Sequence, residues 1–361
     1  MQTTPRQARQ ILHWAGLGAA CILSGIVLSA LAVPAGLLIG PILVGMCFGL
    51  SGHVLTFNRD LRALAQGATG VLIATSYRPD TLARLGEVWP QALATLAGTM
   101  LVAILAGVIV GRLGVIAREE AIWGFLPGMA SAVIAISEER NLDARAVAII
   151  QVLRILVVIL SMSALAAILH MTGLHVTDLS DPAQAAPARS TPHGPVWITC
   201  LLVVLAPLSQ RFLRFVPAGG MMVPLIAAIA LKSAGVPVGI PHEMLVAAYL
   251  VIGANVGLRF DRPLLRQAGR AMPAIIGAAI GMVLLGGGIG LALGWTVGLD
   301  PLSGVLAAVP GSIDAVAALA YSSNADMSFV MTLQILRLFV VLIAGPPLAA
   351  WAARHSAPRR R

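Results

Sequence analysis

Two arginines of this sequence stand inside long apolar stretches, and their surroundings repeat one another. Arg154 ends the stretch PGMASAVIAISEERNLDARAVAIIQVLR, and Arg337 ends the stretch PGSIDAVAALAYSSNADMSFVMTLQILR. Gln151 and Gln334 stand three residues earlier, so on a helix each glutamine shares a face with its arginine. A guanidinium and an amide placed together in an apolar setting can bind an anion, or they can hold backbone carbonyl groups. Both interpretations are open from the sequence.

These stretches are part of an internal duplication. Aligned without a gap at an offset of 183, the two stretches share 11 of their 28 residues. The same offset pairs Trp14 with Trp197 and Pro34 with Pro217, so the repeat extends back to the first apolar segment. A polar stretch rich in Pro and Ala separates the copies and is typical of an exposed linker. The predicted regions are an N-terminal membrane repeat at 1–170, a linker at 171–195 and a C-terminal membrane repeat with a basic tail at 196–361.

The composition is that of a polytopic membrane protein rather than of a soluble domain. Of the 361 residues, 58% are hydrophobic and 11% are charged, and the mean hydropathy is +0.90. Apolar runs of about 20 residues, which are long enough to span a bilayer as helices, recur along the chain. The sequence therefore predicts an all-α membrane protein in which no soluble domain is left over.

The charged and metal-ligating residues exclude several classes of function. The net charge of +9 comes from short loops and a basic tail, which indicates an orientation signal rather than nucleic-acid binding. The seven histidines are dispersed without metal-ligand spacing, and the three cysteines lie inside apolar runs. No phosphate-binding loop is present, so ATP is not the expected energy source. We expect no cofactor, no metal and no catalytic residue.

The distribution of positive charge predicts that the two repeats are inverted. Each half has six apolar segments, and the fifth, which carries the Pro-Gly pair, either crosses the membrane or enters and leaves on one side. If all six cross, 10 Lys and Arg residues lie outside and 12 inside. If the fifth is re-entrant, 18 lie inside and four outside, which fits the positive-inside rule. We therefore predict two inverted repeats of five transmembrane helices plus one re-entrant segment each, with both termini cytoplasmic and the linker periplasmic.

Inverted repeats are typical of secondary transporters, whose substrates bind near the midplane where broken helices meet. The sequence has two pairs of interrupted segments. One pair holds the Pro-Gly dipeptides, at 120–137 and 303–320, and the other lies at 62–77 and 244–259, where Asn255 stands among glycines. A simple kink is the alternative for the first pair. Short helices packed through glycine explain the second pair equally well.

The depth of the two arginines gives the sharper signal. Their helices are predicted to begin near Arg145 and Met327. Arg154 and Arg337 then lie about ten residues in, close to mid-membrane, where an ionisable residue is costly and marks a functional site. The alternative is a structural clamp, in which each arginine holds carbonyl groups of the neighbouring broken segment. Asp314, the one acid well inside an apolar segment, could neutralise one arginine or carry a proton.

The candidate substrate-binding residues come from the two Pro-Gly segments, the two Gln/Arg pairs and the glycine-rich third segment of the second half. No metal ligand is among them. They are Pro127, Gly128, Ser131, Gln151, Arg154, Asn255, Pro310, Gly311, Ser312, Asp314, Gln334 and Arg337.

The Pro-Gly segments, each followed by N-x-D and Q-x-L-R, resemble the membrane AbrB family of bacteria, and the resemblance covers nearly the whole sequence. The second copy, PGSIDAVAALAYSSNADMSFVMTLQILRL, is the closer match. The first copy departs from it at Met129, Ala130 and Ser131, where an acid-bearing motif is expected. The resemblance implies a multi-pass protein of the bacterial inner membrane. It also carries two labels, a regulator of gene expression and an ammonia monooxygenase.

Taken together, these patterns predict a secondary transporter of a small anionic solute, with proton coupling as one option. The alternative is a membrane protein that regulates gene expression indirectly or as a receptor. The enzyme label fits less well, because a monooxygenase needs a metal site that the scattered histidines do not supply. The expected partners are a small-molecule anion and membrane lipid, without nucleic acid, and a homo-oligomer is left open.

Overall fold

The computed structural model describes residues 5–31, 33–52, 55–127, 142–171, 194–213, 219–260, 262–323 and 325–355. These residues form helices joined by short connections, and no strand occurs among them. In chain order the helices are α1 (Pro5–Ala30), α2 (Gly36–Leu50), α3 (Arg59–Ser76), α4 (Pro79–Glu87), α5 (Trp89–Arg112), α6 (Arg118–Phe125), α7 (Ala144–Met171), α8 (Val196–Phe212), α9 (Gly219–Ser233), α10 (His242–Gly257), α11 (Arg262–Ala268), α12 (Met272–Val297), α13 (Pro301–Ala308), α14 (Ile313–Ser322) and α15 (Met327–His355).

The helices repeat at the same offset of 183 that aligns the two halves of the sequence. Helices α2 and α9 begin and end at equivalent residues, as do α6 and α13, and α7 and α15 begin at the equivalent residues Ala144 and Met327. Helices α4 and α11 also match, although the sequence did not predict them. Their sequences, PDTLARLGE and RPLLRQA, carry too many charges for a span. The duplication therefore extends to secondary structure.

Several helices have the length and composition of membrane spans. In the described part of the chain, four are long and apolar enough to cross a membrane: α1, α5, α7 and α12. Helices α2, α9 and α10 are apolar but have only 15 or 16 residues. At 1.5 Å per residue these three measure about 22–24 Å, which is less than the roughly 30 Å of a bilayer core. This architecture confirms the all-α part of the predicted fold class.

The chain divides into two compact units that do not coincide with the two halves of the sequence. Unit 1 comprises Met1–Ser76 and Ala188–Arg266, and unit 2 comprises Tyr77–Pro187 and Gln267–Arg361. Unit 1 therefore holds α1 to α3 and their counterparts α8 to α10. Unit 2 holds α4 to α7, together with α14 and with α12, α13 and α15, the counterparts of α5, α6 and α7. Among the helices described in both copies, α4 and α11 depart from this division, because α4 lies in unit 2 and most of α11 lies in unit 1.

Within unit 1, glycines of one copy pack against the backbone of the other. A Cβ atom on Gly70 of α3 would lie 2.5 Å from the carbonyl oxygen of Met221 on α9. A Cβ atom on Gly253 of α10 would lie 2.5 Å from the carbonyl oxygen of Leu38 on α2. Both pairs are equivalent at the offset of 183, and such reciprocal contacts are what a two-fold relation between two like elements produces. Only glycine permits helices to approach this closely.

Within unit 2, glycines allow close packing of the helix before each Pro-Gly dipeptide, α6 or α13, against the preceding helix, α5 or α12. We call α6 and α13 the first arms of the two broken segments. A Cβ atom on Gly107 of α5 would lie 2.5 Å from Cα of Ile122 on α6. The equivalent atom on Gly290 of α12 would lie 2.6 Å from Cα of Val305 on α13. Because both contacts are to backbone, α6 and α13 are fixed by equivalent glycine contacts.

The Pro-Gly dipeptides interrupt the helix in both copies. Helix α13 ends at Ala308, and α14 begins at Ile313. The residue before each proline, Leu126 in the first copy and Val309 in the second, has an extended backbone with ψ of 123° and 130°. Proline disfavours the helical conformation in the residue before it, which explains the end of α6 and of α13. The counterpart of α14 falls in residues 128–141, outside the described part of the chain.

Equivalent hydrogen bonds join the residue that follows each broken segment to the first turn of that segment. In the second copy, the backbone N–H of Asp326 donates to Oγ of Ser303, in the first turn of α13, at 2.6 Å. In the first copy, the N–H of Asp143 donates to Oε1 of Glu120, in the first turn of α6, at 3.2 Å. The two donors are equivalent at the offset of 183, and so are the two acceptors. The residue after the broken segment is therefore bonded to the first turn of that segment in both copies.

Candidate functional site

Gln334 and Arg337 lie one turn apart on α15 and bond the carbonyl groups at the Pro-Gly interruption of the second copy. We call this interruption the second break, and its counterpart in the first copy the first break. Nε2 of Gln334 donates to the carbonyl oxygen of Leu306 at 2.7 Å and to that of Val309 at 3.3 Å. Nη1 of Arg337 donates to the carbonyl oxygen of Val309 at 2.9 Å, and Nη2 donates to that of Gly311 at 3.3 Å. The last carbonyl groups of a helix have no partner within the helix. The amide and the guanidinium supply those partners at the end of α13.

Arg154 holds the first break in the same way, but Gln151 does not take part. Nη1 of Arg154 donates to the carbonyl oxygens of Phe125 and Leu126 at 2.7 and 2.8 Å. Leu126 is the counterpart of Val309, so the two arginines make one equivalent bond each. Gln151 is only 2% exposed, yet within the described residues neither its amide nitrogen nor its amide oxygen has a hydrogen-bond partner. Nε of Arg154 is also buried and has no hydrogen-bond partner in the part of the chain that the structure describes.

The two arginines lie in the same part of unit 2. Their side chains are 2% and 4% exposed, and the charge of Arg154 acts on Arg337. A Cβ atom on Gly311 of the second break would lie 3.2 Å from Cγ1 of Val158, one turn after Arg154 on α7. Neither arginine forms an ion pair with any carboxylate in the part of the chain that the structure describes. Two buried positive charges therefore stand close together without a negative partner among these residues.

Asp314 lies in the first turn of α14, directly after the second break. Its Oδ1 atom is buried and has no hydrogen-bond partner, and no ion pair joins it to Arg154 or Arg337 in the described residues. The expected neutralisation of one arginine by this acid is thus not present. The N-terminal N–H groups of α14 also receive no side-chain cap, because Ser312 at the N-cap makes no such bond. The role of Asp314 as a proton carrier stays a prediction.

The remaining candidates fall in three places. Pro127 and Pro310 are both buried at the breaks. Gly128 and Ser131 lie outside the described residues. Asn255 lies on α10 of unit 1, where it is half-buried and follows the glycine that packs against α2. No group of three or more His, Cys, Asp or Glu side chains that could hold a metal ion occurs in the described ranges.

The base of the second broken segment carries an acid that sequence reasoning missed. Asp300 is the N-cap of α13, and its Oδ1 accepts a hydrogen bond from the N–H of Ser303 at 2.7 Å. Burial raises the pKa of Asp300, the bonds from Ser303 oppose that shift, and the charge of Asp326 adds to it. Asp-Pro before an apolar segment is a recognisable N-cap signal. The contact of Ser303 with Asp326 had no sequence signal, since it joins residues 23 positions apart.

Comparison with known proteins identifies the relatives of this chain. The model of the family described as "Transition state regulatory protein AbrB" matches residues 37–353. A protein of Escherichia coli (strain K12) named "Putative regulator AbrB" is 33% identical over 355 residues, which cover 97% of this chain and 99% of that protein. The "Uncharacterized protein YhjN" of Bacillus subtilis (strain 168) is 22% identical over 342 residues, which cover 90% of this chain and 88% of that protein.

A more distant relative shares only part of the chain. The sodium/glutamate symporter of Escherichia coli (strain K12) is 31% identical over 90 residues, which cover 25% of this chain and 22% of the symporter. The family match, in contrast, extends over most of the chain and agrees with the Pro-Gly, N-x-D and Q-x-L-R pattern of the sequence. The chain therefore belongs to the AbrB family.

Proposed function

We propose that this protein is a secondary transporter of a small anionic solute, and that the solute binds in unit 2 beside the two breaks. The observation that carries the proposal is the pair of buried arginines, which lie in the same part of unit 2 and have no carboxylate partner in the described residues. Carbonyl oxygens satisfy part of their hydrogen-bonding capacity but bring no formal negative charge. A bound anion would supply that charge where burial makes uncompensated charge most costly.

The architecture supports transport rather than catalysis. Broken helices that meet inside a duplicated helical bundle are the usual binding sites of secondary transporters. Part of the chain is also similar to a protein named as a sodium/glutamate symporter. We therefore assign no enzymatic reaction to the chain, and we infer a carboxylate-bearing solute as the first class to test.

The topology we propose has two inverted repeats, each with five crossings and one re-entrant segment. Its support is the pair of equivalent bonds by which Asp143 and Asp326, after the broken segments, contact the first turns of those segments. With a re-entrant fifth segment, 18 Lys and Arg residues fall on the cytoplasmic side and four on the other, in a bacterial inner membrane with cytoplasmic termini. Cysteine placed at Ser180 in a cysteine-free background should react with an impermeant reagent from the periplasm. Labelling from the cytoplasm alone would exclude the inversion.

Transport is tested with the purified full-length protein in proteoliposomes. Uptake of radiolabelled L-glutamate, succinate, malate and lactate is measured with an inward sodium or proton gradient. Replacement of Arg154 or Arg337 by Gln should reduce uptake at least about tenfold, because a buried charge that meets an anion is worth several kcal/mol. Replacement by Lys should restore part of it. Arg266→Gln, at an exposed arginine of α11, is the matched control and should leave uptake unchanged.

The coupling ion is addressed with the same vesicles. Asp314 is the acid of the site without a hydrogen bond at Oδ1, so we propose that it carries the coupled proton. Asp314→Asn should then abolish uptake driven by a proton gradient and leave exchange of labelled for unlabelled solute intact. If that variant keeps its response to the proton gradient, another group carries the proton.

A second candidate function follows from the name of the family. The family and the Escherichia coli relative are both described as regulators. We propose that any effect on gene expression is indirect and follows from transport of a signal metabolite, because the predicted membrane protein leaves no soluble domain to bind DNA. Specific binding of the purified protein to a promoter fragment would favour the regulator over the transporter.

A further inference from the structure

The two Gln/Arg pairs are equivalent in sequence, but we infer that only Gln151 contacts the solute, whereas Gln334 serves to hold the second break. We infer further that the solute carries a hydrogen-bond donor, a hydroxyl or an ammonium group, beside its carboxylate. This inference rests on the proposed transport function and deepens it. It assigns opposite roles to two residues that the duplication makes equivalent.

The amide nitrogen of Gln334, its hydrogen-bond donor, already bonds backbone carbonyl groups. The amide nitrogen bonds the carbonyl oxygens at the end of α13, with the shortest bond, 2.7 Å, to Leu306. The side chain is fully buried, with 0% exposed. An amide that bridges the last carbonyl groups of a helix is a cap, and such a residue cannot turn to a ligand without freeing those carbonyl groups.

The side-chain amide of Gln151 makes no hydrogen bond within the described residues. The residue is 98% buried, and both of its amide atoms lack a hydrogen-bond partner among the residues that the structure describes. Arg154 takes the carbonyl groups of the first break alone, and its own Nε also remains without a partner. A buried amide in this state is costly, because it has lost water and gained nothing. An apolar side chain of the same volume would fill the position without that cost, so the amide is explained if a bound molecule satisfies it.

The chemistry of the free atoms specifies the ligand. Nε2 of Gln151 and Nε of Arg154 are donors, and both suit the oxygen atoms of a carboxylate. Oε1 of Gln151 is an acceptor and requires a donor from the ligand. The two residues are one turn apart on α7, with Cβ atoms about 5–6 Å from each other, so the donor must lie within a few bonds of the carboxylate. Hydroxy acids and amino acids with the donor on the neighbouring carbon meet this requirement.

The first measurement needs no ligand. Gln151→Met and Gln334→Met are compared by thermal unfolding of the full-length protein in detergent. Gln151→Met should raise the apparent melting temperature by about 1–3 °C, since it removes unsatisfied polar atoms, and Gln334→Met should lower it, since carbonyl groups lose their partner. If both variants lose stability to the same extent, Gln151 has a structural role and the inference is wrong.

The second measurement uses matched solutes in proteoliposomes. The probes are propionate, lactate and alanine, and succinate, malate and aspartate, which differ within each set only by hydrogen, hydroxyl or ammonium. Wild-type protein should prefer the hydroxy or amino acid over its parent acid by about fivefold or more, because the parent acid leaves Oε1 of Gln151 without a partner. Gln151→Met should remove this preference while Gln334→Met retains it in the protein that remains folded.

The outcomes separate this inference from the proposed function. Uptake by wild-type protein with equal rates for each parent acid and its substituted forms would overturn the role of Gln151 and leave the transporter standing. Preference that survives in Gln151→Met would do the same. Absence of uptake for every probe and for L-glutamate would remove the transporter itself, and the inference with it.

Discussion

The two broken segments of unit 2 are copies of one design, yet they satisfy their polar groups differently. At the second break, both Gln334 and Arg337 bond the carbonyl groups that end α13. At the first break, Arg154 bonds the carbonyl groups that end α6, and Gln151 bonds no atom of the described residues. The described atoms left unpaired in the first pair include two donors, Nε2 of Gln151 and Nε of Arg154. The unpaired atoms at the second break are acceptors, Oε1 of Gln334 and Oδ1 of Asp314.

This difference shows that equivalent residues of a duplicated chain can make different contacts. A clamp is needed at both breaks, because each break leaves helix-end carbonyl groups inside apolar surroundings. At the first break the arginine makes these bonds, and its glutamine takes no part in them among the described residues. In the second copy both Gln334 and Arg337 bond the carbonyl groups, and an acid, Asp314, lies in the first turn of α14.

The largest expected effect concerns the glycine contacts of α6 and α13, which are equivalent in the two copies. Gly107→Ala and Gly290→Ala should each lower the free energy of unfolding by about 2–3 kcal/mol, because the new Cβ would meet backbone atoms of the first arm at 2.5–2.6 Å. Apparent stability of the purified protein in detergent measures it. Gly277→Ala, which meets nothing within 4 Å, is the control and should be neutral or stabilising by up to about 1 kcal/mol. A loss at only one of the two sites would show that the arms are not held equivalently.

A second pair of substitutions compares the strengths of the hydrogen bonds at the first turns of α13 and α6. Ser303→Ala removes a fully buried acceptor from the N–H of Asp326 and should cost about 1–3 kcal/mol of stability. Glu120→Ala removes the equivalent acceptor from Asp143, but that bond is exposed and longer, so the loss should be about 0.5 kcal/mol or less. The same unfolding assay compares them. Equal losses would contradict the view that burial sets the strength of this contact.

A third prediction uses the pH dependence of Asp300, an acid that the first copy replaces by Ala117. Its folded pKa is raised, so the folded state binds more protons than the unfolded state between the ordinary value and the raised value. Stability should therefore fall as the pH rises through that window. Asp300→Asn keeps an N-cap but cannot ionise, and its stability should lack this component. Unfolding midpoints of both proteins across pH 4–8 measure the difference, and parallel profiles would refute the shift.

The smallest effect would come from copying that cap into the first repeat. Ala117 has φ and ψ of −61° and 139°, close to the −62° and 150° of Asp300, but it offers no side-chain cap. Ala117→Asn should add about 0.5–1 kcal/mol of stability by accepting a bond from a free N–H of α6. Ala117→Val has no such acceptor and serves as the control. If Asn and Val behave alike, the first turn of α6 is already satisfied.

Much of the fold could be predicted because it follows from local properties of the sequence. The 183-residue register predicted equivalent helices, and α7 and α15 begin at equivalent residues as expected. The Pro-Gly dipeptides predicted the interruptions, since proline acts on the residue directly before it. Helices α4 and α11 were missed because hydropathy identifies spans and passes over short charged helices. The division into two units was missed as well, because it depends on contacts between residues far apart in the chain.

The sequence by itself determined the family, the duplication, the apolar all-α character and the positions of the breaks, because all of these depend on residue type and spacing. Tertiary structure alone decided what each polar side chain near the breaks does. Gln151 and Gln334 stand in nearly the same sequence context, yet one amide is unpaired and the other caps a helix. The physical reason is that a hydrogen bond is made between particular atoms at about 3 Å. Which of those atoms meet is set by how neighbouring helices pack, and a sequence pattern does not contain that distance.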